Sequence, residues 1–430
     1  MQTEASVYHP HFGCIPSSWM VVDAIEACSK ITDGTHDTPK AVPDGQPYIK
    51  SVHIKNGEVD FDNCLFVSEA DHETIFRRCN PEKGDLLVVN IGAGNIGDCA
   101  YVTVDFEFSM KNIALLKPKK DTLNSLYFYY YYRSRQERIT HTAKTGGAQP
   151  FLSLKDLKKL KVVLPPINEQ CKIARILLTW DKAISTIERL IDNSKQQKKA
   201  LMQQLLTGKK RLLDDSDNPF DGKWEALYLH DVAKIIVSPV DKKAVEGEIP
   251  VTLCNYTDVY YNTRISKSLD FMKATAKQSE IDKYTLQVND VIITKDSETP
   301  GDIAVPALVD EDLGGVVCGY HLAIIRPKAR MVAGAYLNYL FSMPKTRYYF
   351  FTLATGATRF GLSVGGINKA HFTLPPLDEQ QKIAAVLTNA DKEIELLQQQ
   401  LDDLKQEKKA LMQQLLTGKR RVKVDEKEVA

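Results

Sequence analysis

A chain of 430 residues is longer than one ordinary core, so two domains plus connecting elements are expected. No run of uncharged apolar residues reaches the roughly 20 needed to cross a bilayer, and Met1 to Pro16 has neither a basic start nor an apolar stretch, so a soluble cytoplasmic protein is expected. The net charge of +1 gives no hint of nucleic acid, because phosphate contact normally demands an excess of lysine and arginine.

In chain order, residues 1–163 read as a first variable domain. Short β-type runs, Asp85-Leu86-Leu87-Val88-Val89 and Ala100-Tyr101-Val102-Thr103-Val104, are punctuated by Gly, Pro, Asn and Asp. Between them stands Gly92-Ala93-Gly94-Asn95-Ile96-Gly97, a literal GxGxxG. A dinucleotide turn must open a helix and meet an acidic residue about 20 positions on. Residues 98–108 instead alternate like a strand and place their acids too early, so the cofactor reading is set aside. A tyrosine-rich helical segment from Leu126 to Arg133 precedes the turn Thr145-Gly146-Gly147. Its rings could stack on bases, but packing against the sheet is favoured.

Residues 164–208 read as one long helix. Pro166 suits its first turn, Glu169 complements the positive dipole end, and Gly208 with the lysines after it suits the stop. Ile173, Leu177, Trp180, Ile184, Ile187, Ile191, Leu201 and Leu205 recur in steps of four and three, which is a heptad seam. At 1.5 Å per residue such a helix is roughly 60 Å long. A polar linker, residues 209–223, leads to a second variable domain, residues 224–373. Its β-type runs are Asp290-Val291-Ile292-Ile293 and His321-Leu322-Ala323-Ile324-Ile325, and its aromatic helix is Tyr336-Leu337-Asn338-Tyr339-Leu340-Phe341. Each domain is expected to be α+β with a curved sheet. Residues 374–418 read as a second long helix, with a seam of Ile383, Leu387, Ala390, Ile394, Leu397, Leu401, Leu404, Leu411 and Leu415, followed by a charged tail, residues 419–430.

The two halves are copies at an offset of roughly 210 positions. Leu164-Pro165-Pro166-Ile167-Asn168-Glu169-Gln170 returns as Leu374-Pro375-Pro376-Leu377-Asp378-Glu379-Gln380, and KKALMQQLLTGK at Lys198 to Lys209 is repeated letter for letter at Lys408 to Lys419. Over this block roughly 28 of 49 positions are identical. Weaker echoes align Trp19 with Trp224 and Leu152-Ser153 with Leu362-Ser363. The unit is a variable domain followed by a near-constant helix, used twice. Because compact domains commonly have neighbouring termini, the second helix is expected to start where the first stops and run back along it. The expected fold is therefore two globular domains separated by an antiparallel two-helix coiled coil with pseudo-two-fold symmetry, a symmetry that matches duplex DNA read as two half-sites. Lys198 and Lys408 interrupt the seams. They either lock the register or extend their stems outward to water.

Lysine and arginine suit phosphates, and Asn, Gln, Arg, Ser, Thr or His suit base edges. On that basis the candidate DNA contacts in the first domain are Thr35, His36, Thr38, Lys40, Lys50, His53, Arg77, Arg78, Lys144 and Gln149. In the second they are Lys242, Lys243, Asn255, Tyr256, Arg264, Lys295, Thr358 and Arg359. Each alone reads as readily as a solvated surface residue. The eight cysteines are scattered singly with no zinc-ligand spacing, so no metal site is expected.

Duplicated LPPxxEQxKIA entries and duplicated KKALMQQLLTGK exits, bracketing two dissimilar domains, resemble the specificity subunit of type I restriction-modification enzymes. The loop Gly34-Thr35-His36-Asp37-Thr38-Pro39 also resembles one in some recognition domains of that family. The resemblance implies that each domain reads one half of a bipartite double-stranded DNA site. It further implies that two modification subunits dock on the domains and helices, bring S-adenosylmethionine, flip an adenine and methylate it. Two restriction subunits can join to add ATP- and Mg-dependent translocation and cleavage. No catalytic residue is expected in this chain: it carries no (N/D)PP(Y/F) loop, Walker A, HExxH or GxSxG motif. The competing reading is a coiled-coil scaffold that joins two protein-binding domains.

Overall fold

The computed structural model describes residues 5–91, 95–143 and 151–424. The chain forms two compact units, the first built from two segments far apart in sequence and the second from one continuous stretch. One comprises residues 1–188 with 399–430, the other residues 189–398. Most of the expected runs become strands because their β-branched and aliphatic residues are buried on both faces, as at Leu86–Val89 and Val291–Thr294, whereas the run from Ala100 to Val104 is strand only to Tyr101. No described helix is long and apolar enough to cross a membrane.

In the first unit a four-stranded antiparallel sheet runs in the order Cys99–Tyr101, Leu86–Val89, Ile113–Pro118, Cys28–Asp33. A second sheet sets Ser109–Lys111 parallel to Gln46–Lys50, which pairs antiparallel with Leu65–Val67. The second unit repeats this plan. Ala233–Val237, Leu322–Pro327, Val291–Thr294, Pro306–Val309 and Arg264–Ile265 form one sheet, and Val317–Cys318 lies parallel to Ile249–Cys254 in another. The internal repeat read from the helices therefore extends through the variable domains.

The aromatic segments are packing elements. Tyr127, Phe128, Tyr130, Tyr131 and Tyr132 on helix Ser125–Ala143 are buried, and the hydroxyls of Tyr127 and Tyr131 donate to the carbonyls of Val163 and Lys161. In the second unit the corresponding helix is split into Gly334–Ser342 and Pro344–Thr352. Pro344 disfavours helical geometry at Met343, which takes ψ 134°.

The long helices are Ile167–Leu205 and Leu377–Leu415, 39 residues each. Pro166 and Pro376 sit just before the first turn, and their carbonyls accept from the amides of Gln170 and Gln380. Gly208 and Gly418 lie past the end with φ of 69° and 73°, the left-handed geometry that a glycine stop supplies. Every predicted seam residue is buried or half-buried. Ile173, Leu177, Ile191, Leu205, Ile383, Leu387, Leu401 and Leu415 are the most deeply covered. In the first unit Leu415 and Leu416 join the same core as Trp19, Ile173 and Leu177. In the second, Leu205 and Leu206 join that of Ile383, Ala384 and Leu387.

Candidate nucleic-acid interface

The repeated motif residues hold the frame that carries the interface. Glu169, buried at the first helix start, accepts from Trp19 Nε1 at 3.1 Å and takes two hydrogen bonds of 2.6 and 2.7 Å from Arg421. Glu379 does the same in the other unit, with Trp224 Nε1 at 3.2 Å and Arg211 at 2.6 and 2.7 Å. Each guanidinium also lies over its tryptophan ring, 5.7 Å from the centroid for Arg421 and 5.9 Å for Arg211. The glutamates thus do more than complement a helix dipole. Gln170 and Gln380 accept from the amides of Asn124 and Ala333 and donate to the carbonyls of Pro165 and Pro375, tying each domain to its helix. The seam lysines are engaged too. Lys408 binds Asp181, which also accepts from the Tyr130 hydroxyl at 2.5 Å, and Lys198 binds Asp391, which accepts from Tyr339 at 2.6 Å.

In the first unit the candidates His36, Thr38 and Arg78 come together. Their centre is Asp33, a buried carboxylate at the end of a core strand, which accepts from Arg78 at 2.6 Å and faces His36 Nε2 at 3.2 Å. His36 Nδ1 meets Asn112 Oδ1 at 3.0 Å, and Lys111 donates to the Thr38 hydroxyl. Asp33, Lys111 and Asn112 were not singled out from the sequence. Asn112 has φ 55°, a left-handed conformation immediately before strand Ile113–Pro118, which no composition or periodicity signals.

Other expected contacts stand apart from this cluster. His53 is corrected from surface contact to buried turn residue: its ring accepts from the amide of Lys50 at 3.0 Å, and burial, ahead of the neighbouring charges, holds its pKa below the ordinary value. Thr35 is also buried, its hydroxyl accepting from the amide of Asp37 at 3.1 Å, so it shapes the loop. Lys40 is exposed, Lys50 is half-buried, and Arg77 is exposed beside Glu73 at 3.6 Å. Lys144 and Gln149 lie outside the described residues, as do Gly92, Ala93 and Gly94 of the glycine run.

In the second unit Lys295 and Arg359 converge. Asp296 Oδ2 accepts from Lys295 Nζ at 2.6 Å and from His321 Nδ1 at 3.1 Å, and Arg359 Nη2 lies 3.2 Å from the His321 ring nitrogens. Burial pushes the Asp296 carboxyl up, but hydrogen bonds from Lys295 and His321 and their charges outweigh it, and its pKa falls below the usual value. Tyr320 packs edge-on against His321 at 4.1 Å and is about half exposed. Thr358 is exposed beside Arg359. Lys242 and Lys243 are exposed on a separate loop. Two further expectations are corrected. The Asn255 side chain caps helix Tyr256–Tyr260, accepting from the amide of Thr257 at 2.8 Å, and Arg264 is taken up by Asp310 and by Thr388 on the second long helix at 3.5 Å. Tyr256 stacks on Tyr260, 5.6 Å between centroids. Among the described residues no cluster of His, Cys, Asp or Glu could hold a metal ion.

Residues 17–194 and 221–406 each match the family described as the type I restriction modification DNA specificity domain. The chain is 27% identical over 430 residues to a putative type I restriction enzyme MjaX specificity subunit of Methanocaldococcus jannaschii, covering 96% of each. Among solved structures it resembles the HsdS subunit from Thermoanaerobacter tengcongensis, with TM-score 0.51 and 16% identity over 94% of this chain and 98% of that one. It also resembles a chain solved in work on complex assembly and conformational transition of the type I R-M system, with TM-score 0.56 and 15% identity over 94% and 99%. With both halves matched and the same Trp-Glu-Arg clamp built twice, the chain belongs to the family of type I restriction-modification DNA specificity subunits.

Proposed function

We propose that this chain recognises the DNA target of a type I restriction-modification complex, each variable domain reading one half of a bipartite site. The observation that carries this reading is the duplicated match of residues 17–194 and 221–406 to the DNA specificity domain. It is joined by the gathering of Arg78, His36 and Thr38 in one unit and of Lys295, His321 and Arg359 in the other. Such side chains serve phosphates and base edges, and together they give a readout surface without a bond-breaking centre.

In the finer form of this proposal the two long helices pair antiparallel as a coiled coil between the domains. Support comes from inside each unit: Glu169, Asp181 and Glu188 on the first helix meet Arg421, Lys408 and Lys405, so partner numbers fall as residue numbers rise. Asp391 and Glu379 meet Lys198 and Arg211 in the same sense. Two modification subunits, carrying S-adenosylmethionine, then act on the two half-sites in the cytoplasm, and restriction subunits with ATP and Mg complete the nuclease. This division of labour accounts for the near-neutral charge of +1, because partners supply positive surface around the duplex.

Footprinting with and without modification subunits tests the reading. Two protected stretches separated by an unprotected gap are expected. A scaffold that joins protein-binding domains would protect nothing.

A further inference from the structure

Residue His321 stands in the left-handed region at φ 73°, a conformation uncommon outside glycine, directly before the inner strand Leu322–Pro327. Its carbonyl accepts from the amide of Lys295 at 2.8 Å, which pins the backbone. Asp296 leads out of the neighbouring strand Val291–Thr294 and pairs with Gly361, where a Cβ would come within 2.8 Å of the carboxylate; the glycine gives that side chain room. Because a carboxylate only accepts, the 3.1 Å contact fixes the proton on His321 Nδ1. Arg359 Nη2 lies 3.2 Å from both Nδ1 and Nε2, so the guanidinium rests against the imidazole ring that Asp296 holds in place.

The charges sort themselves along this chain of contacts. Lys295 is neutralised by Asp296 at 2.6 Å, whereas Arg359 has no carboxylate partner among the described residues and is exposed. Arg359 therefore presents a full positive charge and remaining N–H donors on a guanidinium whose position is set from behind. The half-exposed Tyr320 ring packs edge-on against His321, the residue that Arg359 rests on. A freely moving arginine suits any phosphate. One held by a histidine that is itself held by an aspartate suits one base edge, and the acceptor pair that fits a guanidinium fork is O6 and N7 of guanine. The first unit places a polar side chain at the same structural point: Asn112, left-handed before the inner strand Ile113–Pro118, bonded to His36 beside Asp33.

Resting on the proposed DNA-reading function, we propose that Arg359 reads a guanine in the half-site of the second variable domain, and that Asp296 and His321 are the positioning residues that aim it.

The test uses the full chain with its modification subunits and measures methylation across a library of single-base variants of the target. Wild type must first give a bipartite site; if it gives none, the function itself fails and this inference with it. Given such a site, Arg359→Ala and Arg359→Lys are expected to lower discrimination at one G·C pair of one half-site about tenfold or more, with the other half-site unchanged. His321→Asn keeps a residue that tolerates positive φ, as Asn112 does, and is expected to weaken discrimination at that same pair while affinity for unrelated DNA stays constant. Combined with Arg359→Ala it should add nothing further, since both act through one guanidinium. A uniform loss at every base pair would make Arg359 a phosphate contact, and unchanged discrimination would remove it from readout. Either result overturns the inference. Melting of each variant separates both from misfolding.

Discussion

Arg421 closes on Glu169 through two parallel hydrogen bonds of 2.6 and 2.7 Å, joining the end of the chain to the start of the first long helix across 252 positions of sequence. The carboxylate is 3% exposed and the guanidinium side chain 33%, so the group that loses its carboxylate when Glu169 is changed is a partly exposed arginine that water partly solvates. Glu169→Gln is expected to lower the stability of the first unit by about 1–2 kcal/mol, less than for a fully buried pair. Chemical denaturation measures this, and Glu379→Gln should do the same to the second unit. A change under about 0.5 kcal/mol would mean that the clamp is ornamental.

Lys408 and Asp181 make a second, more exposed junction, with side chains 17% and 39% accessible. Solvent screening reduces its worth. Lys408→Asp is expected to cost about 1–2 kcal/mol, and adding Asp181→Lys should restore most of it. Failure of the double variant to recover would show that the lysine acts through its cation-π contact with Tyr130 at 5.2 Å instead.

His53 gives a pH dependence with a definite sign. Its pKa in the fold lies below its ordinary value because burial penalises the charged ring, with Lys50 and Lys55 adding to this and Asp60 opposing it. The stability it contributes is therefore fully present above the unfolded value of about 6.5 and is lost as pH falls through the lower folded value. Unfolding of the first unit measured from about pH 8 to 5 should show this decline, and His53→Gln should flatten it. Equal slopes for variant and parent would assign the acid sensitivity elsewhere.

What the sequence made legible was periodic. The seams from Ile173 to Leu205 and from Ile383 to Leu415 repeat every seven residues, and a heptad is a local signal that survives any change in the rest of the chain. The strands Leu86–Val89 and Val291–Thr294 were readable for the same reason, as short apolar runs between turn residues. The interface was harder. Asp33, Asn112, Asp296 and His321 owe their importance to backbone geometry and to partners far away in sequence, as the 25 positions between His321 and Asp296 illustrate. Conversely His53, Thr35 and Asn255 had the right chemistry for DNA, but local turns and caps consume it. The clamp left one clue, since Trp19, Glu169 and Arg421 recur as Trp224, Glu379 and Arg211.

If the long helices set the gap between half-sites, inserting one heptad at matching places in both should change it, because seven residues add about 10.5 Å of helix while keeping the seam in phase. The methylated motif should keep both half-sites and alter only the spacer. An unchanged spacer would take the helices out of that role.

Methylation sequencing of a host carrying this chain and its modification subunits, before and after residues 19–163 are replaced by the first variable domain of another family member, tests the central claim most directly. The predicted result is an interrupted motif in which one half-site changes and the other stays as it was. A motif with both half-sites unchanged, or both altered, would contradict the assignment of one domain to one half-site.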